Sequence, residues 1–77
     1  MKISLCSLNE GESATVEKLS LSGDIYRRLT HLGLIKGTKV ECLHKSPAGN
    51  PIAYLIRGAV IAIRNEDAEK ISVSKER

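Results

Sequence analysis

Cys42 and His44 stand two residues apart in Lys39-Val40-Glu41-Cys42-Leu43-His44, a stretch whose alternation predicts a strand. On a regular strand both side chains point to one face, and thiolate plus imidazole is the start of a tetrahedral metal set. Cys6 and His31 are the residues that could complete it. The competing expectation is that Cys42 fills the core while His44 lies at the exposed strand end. No paired short-spaced ligand motif supports a metal, so none is assigned, and no other cofactor is implied. Two cysteines this far apart make no Cys-x-x-Cys and no disulfide framework, which fits a reducing cytoplasm.

Catalysis has less to build on. The chain has no Gly-x-Ser-x-Gly, no His-x-x-x-His and no glycine-rich phosphate loop, because its six glycines are single turn residues. The expectation is a protein that is not an enzyme. Arg27, Arg28, Lys36 and Lys39 gather in one region and raise nucleic-acid binding as a second class. Single-strand binding needs aromatic platforms, and two tyrosines with no Phe or Trp provide little stacking. The same shortage argues against a proline-peptide groove. The net charge of +3 comes from twelve basic residues scattered among nine acidic ones, a pattern that suits a solvated surface.

These residues are organised by one stretch, Gly23 to Val40. Ile25, Leu29 and Leu32 recur at i, i+4 and i+7 and predict a short helix with that stripe facing the core. Asp24 sits at the positive helix end, within reach of Arg28 at i+4, and Arg28 and His31 sit near the negative end. Gly33 is placed to adopt the left-handed conformation of a Schellman ending, with Leu34 folding back on Leu29. Gly37 turns the chain again before Thr38 and Val40 begin a strand.

The rest reads as short strands. One is expected from Ala14 to Leu19, after an anchoring segment at Leu5 and Leu8 with a single helical turn. Pro47-Ala48-Gly49-Asn50-Pro51 is a turn cluster joining the Cys42 strand to Ile52-Ala53-Tyr54-Leu55-Ile56, and Gly58 separates a further strand from Val60 to Ile63. Asn65 is expected to cap a short helix whose first turn carries Glu66 and Asp67. Ile71 and Val73 close the chain as a brief strand, with residues 73–77 expected to fray. Seventy-seven residues bury only about 60% of their unfolded surface and form one domain. Five short strands with one inserted helix suit a small, bent, SH3-like barrel, whose closure limits exposed edges. The N-terminus lacks the apolar length of a signal peptide, and no apolar run approaches the ~18 residues of a membrane span.

With Leu29, Leu32 and Leu34 assigned to the core, the surface left on the helix side is Arg27, Arg28, Thr30, His31, Ile35 and Lys36. Ile35 is the unusual member, an apolar residue in a turn between two glycines and rimmed by cations. It either covers the open end of the barrel or contacts another protein. Arg27, Arg28, His31, Ile35 and Lys36 are therefore the candidate partner-binding residues.

The ordered set Arg27-Arg28-Leu29, Leu32-Gly33-Leu34, Gly37-Thr38-Lys39-Val40, Ser46 to Pro51, Gly58, Ile61-Ala62-Ile63-Arg64, Ala68, Ile71 and Val73 resembles the FeoA family of small ferrous-iron-transport proteins. The likeness runs from Leu8 to Val73 and lies in the combination rather than in any one motif. It implies a cytoplasmic SH3-like barrel that docks on the cytoplasmic part of FeoB, the ferrous transporter with a GTP-binding domain, and regulates it. It also implies contact with the membrane only through that transporter, no nucleic acid, no enzymatic activity and no agreed metal site. The family's commonest loop has Asp where this chain has Asn50. The alternative is a free-standing SH3-like domain that binds nucleic acid or serves a metal-responsive regulator.

Overall fold

The computed structural model describes residues 2–46 and 50–75. In chain order these form β1 (Lys2–Ser4), a 3-10 turn (Leu5–Ser7), β2 (Ser13–Leu19), α1 (Gly23–His31), β3 (Lys39–Lys45), β4 (Ile52–Ile56), β5 (Ala59–Ile63), α2 (Asn65–Ala68) and β6 (Ile71–Lys75). The six strands make one antiparallel sheet in the order β1-β6-β2-β3-β4-β5. One strand more than expected is present, because Lys2 to Ser4 pairs with Ser74 to Ser72. The barrel is not closed by hydrogen bonds, since β1 and β5 remain at opposite edges.

Alternation places one side of each strand in the core. Ala14 and Val16, Val40 and Cys42, Ile52, Tyr54 and Ile56, Ile61 and Ile63, and Ile71 and Val73 are all buried. Two irregularities bend the sheet around them, between Val16 and Lys18 against β6 and between Cys42 and His44 against β4. Leu5 and Leu8 plug one end, and the Tyr54 hydroxyl donates to the Leu5 carbonyl at 3.3 Å. Burial pushes the Tyr54 phenol well above its usual pKa of 10.0, so it stays neutral in this role.

The end of the chain departs from expectation. β6 lies between β1 and β2, Val73 is fully buried, and Ser74 and Lys75 are still paired, so residues 73–75 are not a frayed tail. Lys75 Nζ also lies 2.6 Å from Glu12 Oε2 on β2's approach. Residues 76–77 lie outside the described residues, as do Pro47, Ala48 and Gly49 of the expected turn cluster.

The short helix α2 is not capped by Asn65. Arg64 is the N-cap, without a side-chain cap bond, and Asn65 is the first helical residue. Its N–H donates instead to Asn50 Oδ1 at 3.1 Å, so a side chain from the loop before β4 satisfies an orphan donor of the first turn. That gives Asn50 a structural role that needs an acceptor oxygen and no charge.

Candidate docking face around the Gly33 to Gly37 loop

The end of α1 is a complete Schellman ending. Leu34 N–H donates to Leu29 O and Gly33 N–H to Thr30 O, both at 3.0 Å, with Gly33 at φ +104°. Leu29 and Leu34 are both fully buried, as the sequence pattern requires. Leu32 is not: it is the helix C-cap and 43% exposed, because the turn into Gly33 rotates it off the inward stripe. Ile25 is only partly buried against the core.

Beyond Gly33 the chain is held by a second set of bonds. Thr38 N–H donates to Ile35 O at 3.0 Å across a turn with Gly37 at φ +91°. The Thr38 hydroxyl, nearly buried, donates to Gly33 O at 2.9 Å and receives the Ile35 N–H at 3.4 Å. Gly37 N–H donates to Val16 O at 2.8 Å, and Val16 N–H to Thr38 O at 2.9 Å, which ties the loop to β2. The loop is thus fixed on three sides while Ile35 stays 46% exposed at its tip. The ordering cost of any contact made through Ile35 would already have been met by folding.

Arg27, Arg28, His31, Ile35 and Lys36 are all exposed along the outer side of α1 and this loop. Arg27 pairs with Asp24 at 3.7 Å, one turn apart, in place of the expected Asp24–Arg28 pair. Both partners are solvent-exposed, so the pair contributes little to stability. Thr30 is less available than expected, because its hydroxyl donates to Tyr26 O at 2.9 Å and Arg27 O at 3.0 Å.

The structure adds residues that the sequence pattern did not single out. Arg57 lies over Gly33, where a Cβ would overlap its Cδ, so the aliphatic stem covers the helix end. Arg57 reaches that place from the two-residue turn between β4 and β5, where Arg57 has φ +49° and Gly58 φ +83°. A groove of about 430 Å³ runs beside the loop, lined by Gly37, Thr38, Lys39, Glu41, Leu55, Arg57 and Gly58. Leu32 and Ile35 are the exposed apolar side chains of this face, and the groove beside it is mostly polar, with Leu55 its apolar member. Arg57 was hidden in the sequence because positive φ at that turn position usually selects Asn, Asp or Gly.

The metal candidates are not brought together. Leu43 is the extra residue of the bulge, so Cys42 opposes Tyr54 on the buried side while His44 opposes Ala53 on the outer side. Burial raises the Cys42 thiol above its usual 9.0, which keeps it a neutral core residue. His44 Nδ1 instead sits 3.2 Å from Glu10 Oε2, whose carboxylate also receives the Lys45 N–H at 2.8 Å. Among the described residues no three His, Cys, Asp or Glu side chains form a cluster that could hold a metal ion.

A single bent antiparallel sheet with α1 inserted between its strands and an exposed loop face defines a small SH3-like domain. Its residues 3–75 match the sequence profile of the FeoA domain, and the chain belongs to the FeoA family, which takes part in ferrous iron transport. The FeoA protein of Chlorobium tepidum is 32% identical and superimposes with a TM-score of 0.93, covering 97% of this chain and 71% of that one. FeoA of Stenotrophomonas maltophilia, a prokaryotic SH3 domain protein complexed with zinc, is 33% identical with a TM-score of 0.81, covering 97% and 96%. A curated relative is the Fe(2+) transport protein A/Fe(2+) transporter FeoB fusion protein of Porphyromonas gingivalis, 28% identical over 69 residues. That match takes in 90% of this chain and 8% of the relative's length.

Proposed function

We propose that this protein is a non-enzymatic adaptor of ferrous iron uptake that docks on the cytoplasmic part of a FeoB-type transporter and regulates it. The observation that carries the reading is the fusion relative, in which a domain like this one shares a chain with FeoB. Fusion makes the local concentration of the two partners high, and a free-standing domain needs a docking surface to achieve the same result. The Gly33 to Gly37 loop, with Arg27, Arg28, His31, Ile35 and Lys36, is that surface. Leu32, Arg57 and the adjoining groove extend it. No helix among the described residues is long and apolar enough to cross a membrane.

Titrating isotope-labelled protein with the cytoplasmic region of the cognate transporter tests the reading. Shifts concentrated from Arg27 to Lys36 and at Arg57 are expected. Binding that leaves those residues unmoved would assign docking to another face. No shifts with the transporter region, but steeply salt-dependent binding of an added oligonucleotide, would favour the nucleic-acid alternative.

A further inference from the structure

We propose that the loop face takes an acidic segment of the transporter, one in which carboxylates flank an apolar side chain; the inference rests on the docking reading above and adds the chemistry of the occupant. The charges look scattered in residue order and are not scattered in space. Arg27, Arg28, Lys36, Lys39 and Arg57 belong to α1, the loop and the lining of the groove, and the acids of those same elements are Asp24 and Glu41. The other seven cations of the chain are matched by its other seven acids, so the whole excess of +3 arises here. β2, which anchors the loop at Val16, contributes Glu17 and Lys18 in equal number.

The fold uses little of that charge. Asp24 pairs with Arg27 at 3.7 Å, while Glu10 and Glu12 are engaged elsewhere, with His44 and Lys75. No ion pair to Arg28, Lys36 or Arg57 is present among the described residues. The negative end of α1 favours Arg28 in its last turn, but that field fades within the turn and leaves Lys36 unexplained. Like charges gathered without a carboxylate repel one another, and an acidic partner relieves the repulsion.

The apolar neighbours decide which kind of anion fits. Leu32 and Ile35 are exposed on the same face and call for an apolar contact, which a phosphate backbone does not make. A second copy could offer the acids of α2, Glu66 and Asp67, with Glu69 at its end, but α2 has no exposed large apolar side chain, and its Ala68 is fully buried. A segment of another protein with Asp or Glu on either side of an aliphatic residue meets both demands. Its charges would also speed the encounter.

The test is the association rate of the intact chain with the cytoplasmic region of the cognate transporter, followed by stopped flow from about 0.1 to about 1 M sodium chloride, where the screening length falls from ~10 to ~3 Å. The rate should fall about tenfold or more across that range. Lys36→Glu, at an exposed turn residue, should slow it about fivefold at the lower salt and flatten the salt dependence. Arg28→Glu should act alike and serves if the turn variant fails to fold. Lys70→Glu, an exposed cation outside the face, should change neither rate nor slope. Peptides tiled through the transporter region should bind where Asp or Glu flank an apolar residue. Binding that ignores salt and both reversals, or capture of acid-free peptides alone, would overturn the proposal and leave the docking reading in place. No binding at all would remove both. Equal slowing by Lys70→Glu would overturn the proposal as an effect of net charge alone. Preferential capture of a single-stranded oligonucleotide would overturn it in favour of nucleic acid, and self-association relieved by Lys36→Glu in favour of a second copy.

Discussion

Thr38 and Gly33 are joined by a hydrogen bond of 2.9 Å, from the threonine hydroxyl to the carbonyl of the residue that ends α1. This bond closes the loop that displays Ile35, and the same hydroxyl oxygen receives the Ile35 N–H. Thr38→Val keeps the shape and removes both bonds. It should cost about 1–2 kcal/mol in urea unfolding, at about 0.5–1.5 kcal/mol for each bond and less for the longer one. Amide exchange at Ile35 should rise more than exchange in β6, because the loss is local.

Gly33 is constrained twice, by φ +104° and by the Arg57 side chain lying against it. Gly33→Ala should therefore destabilise by more than the ~1 kcal/mol usual for an αL glycine alone. Adding Arg57→Ala to Gly33→Ala should recover the steric part and leave the backbone part. Full recovery in denaturant unfolding would show that φ costs nothing here.

Asn50 accepts from the first N–H of α2 through Oδ1. Asn50→Ala should cost about 1 kcal/mol, as loss of a cap does. Asn50→Asp should be neutral or mildly stabilising, since it keeps the acceptor and adds negative charge at a helix start. Thermal unfolding of the two variants separates them.

Glu12 is held below its usual pKa of 4.5, chiefly by the bond from Lys75 and next by the Asn9 N–H at 2.7 Å. A carboxylate with a lowered folded pKa adds stability that is complete above the unfolded value and is lost as pH falls through the folded one. Glu12→Gln should therefore be less stable than the parent near neutral pH. The gap should shrink as pH falls below about 4.5, read from urea midpoints across that range.

Much of this fold is legible in residue order, and the exceptions have physical causes. The helix, its glycine ending and the strands from Ala14 onward follow from periodicity and turn residues, because each is a local property. Three features depend on partners distant in sequence. Lys2 to Ser4 becomes a strand only because β6 lies beside it, and β6 extends to Lys75 for the same reason. His44 leaves the face of Cys42 because β4 pairs with β3 around a bulge at Leu43, which no local pattern announces. The candidate face was legible in part. Ile35 stood out as an apolar residue between glycines, whereas Leu32 looked like core and Arg57 reaches Gly33 only through the β4–β5 turn.

Docking on the transporter is proposed to run through the loop that carries Ile35. Its most direct test is the affinity of parent and Ile35→Glu protein for the transporter's cytoplasmic region, measured side by side by calorimetry. Ile35 is half-exposed and bonds only through its backbone, so the variant should fold like the parent. At least a tenfold loss of affinity, about 1.4 kcal/mol, is expected for a charge placed at this apolar side chain. Equal affinity of a folded variant would contradict it.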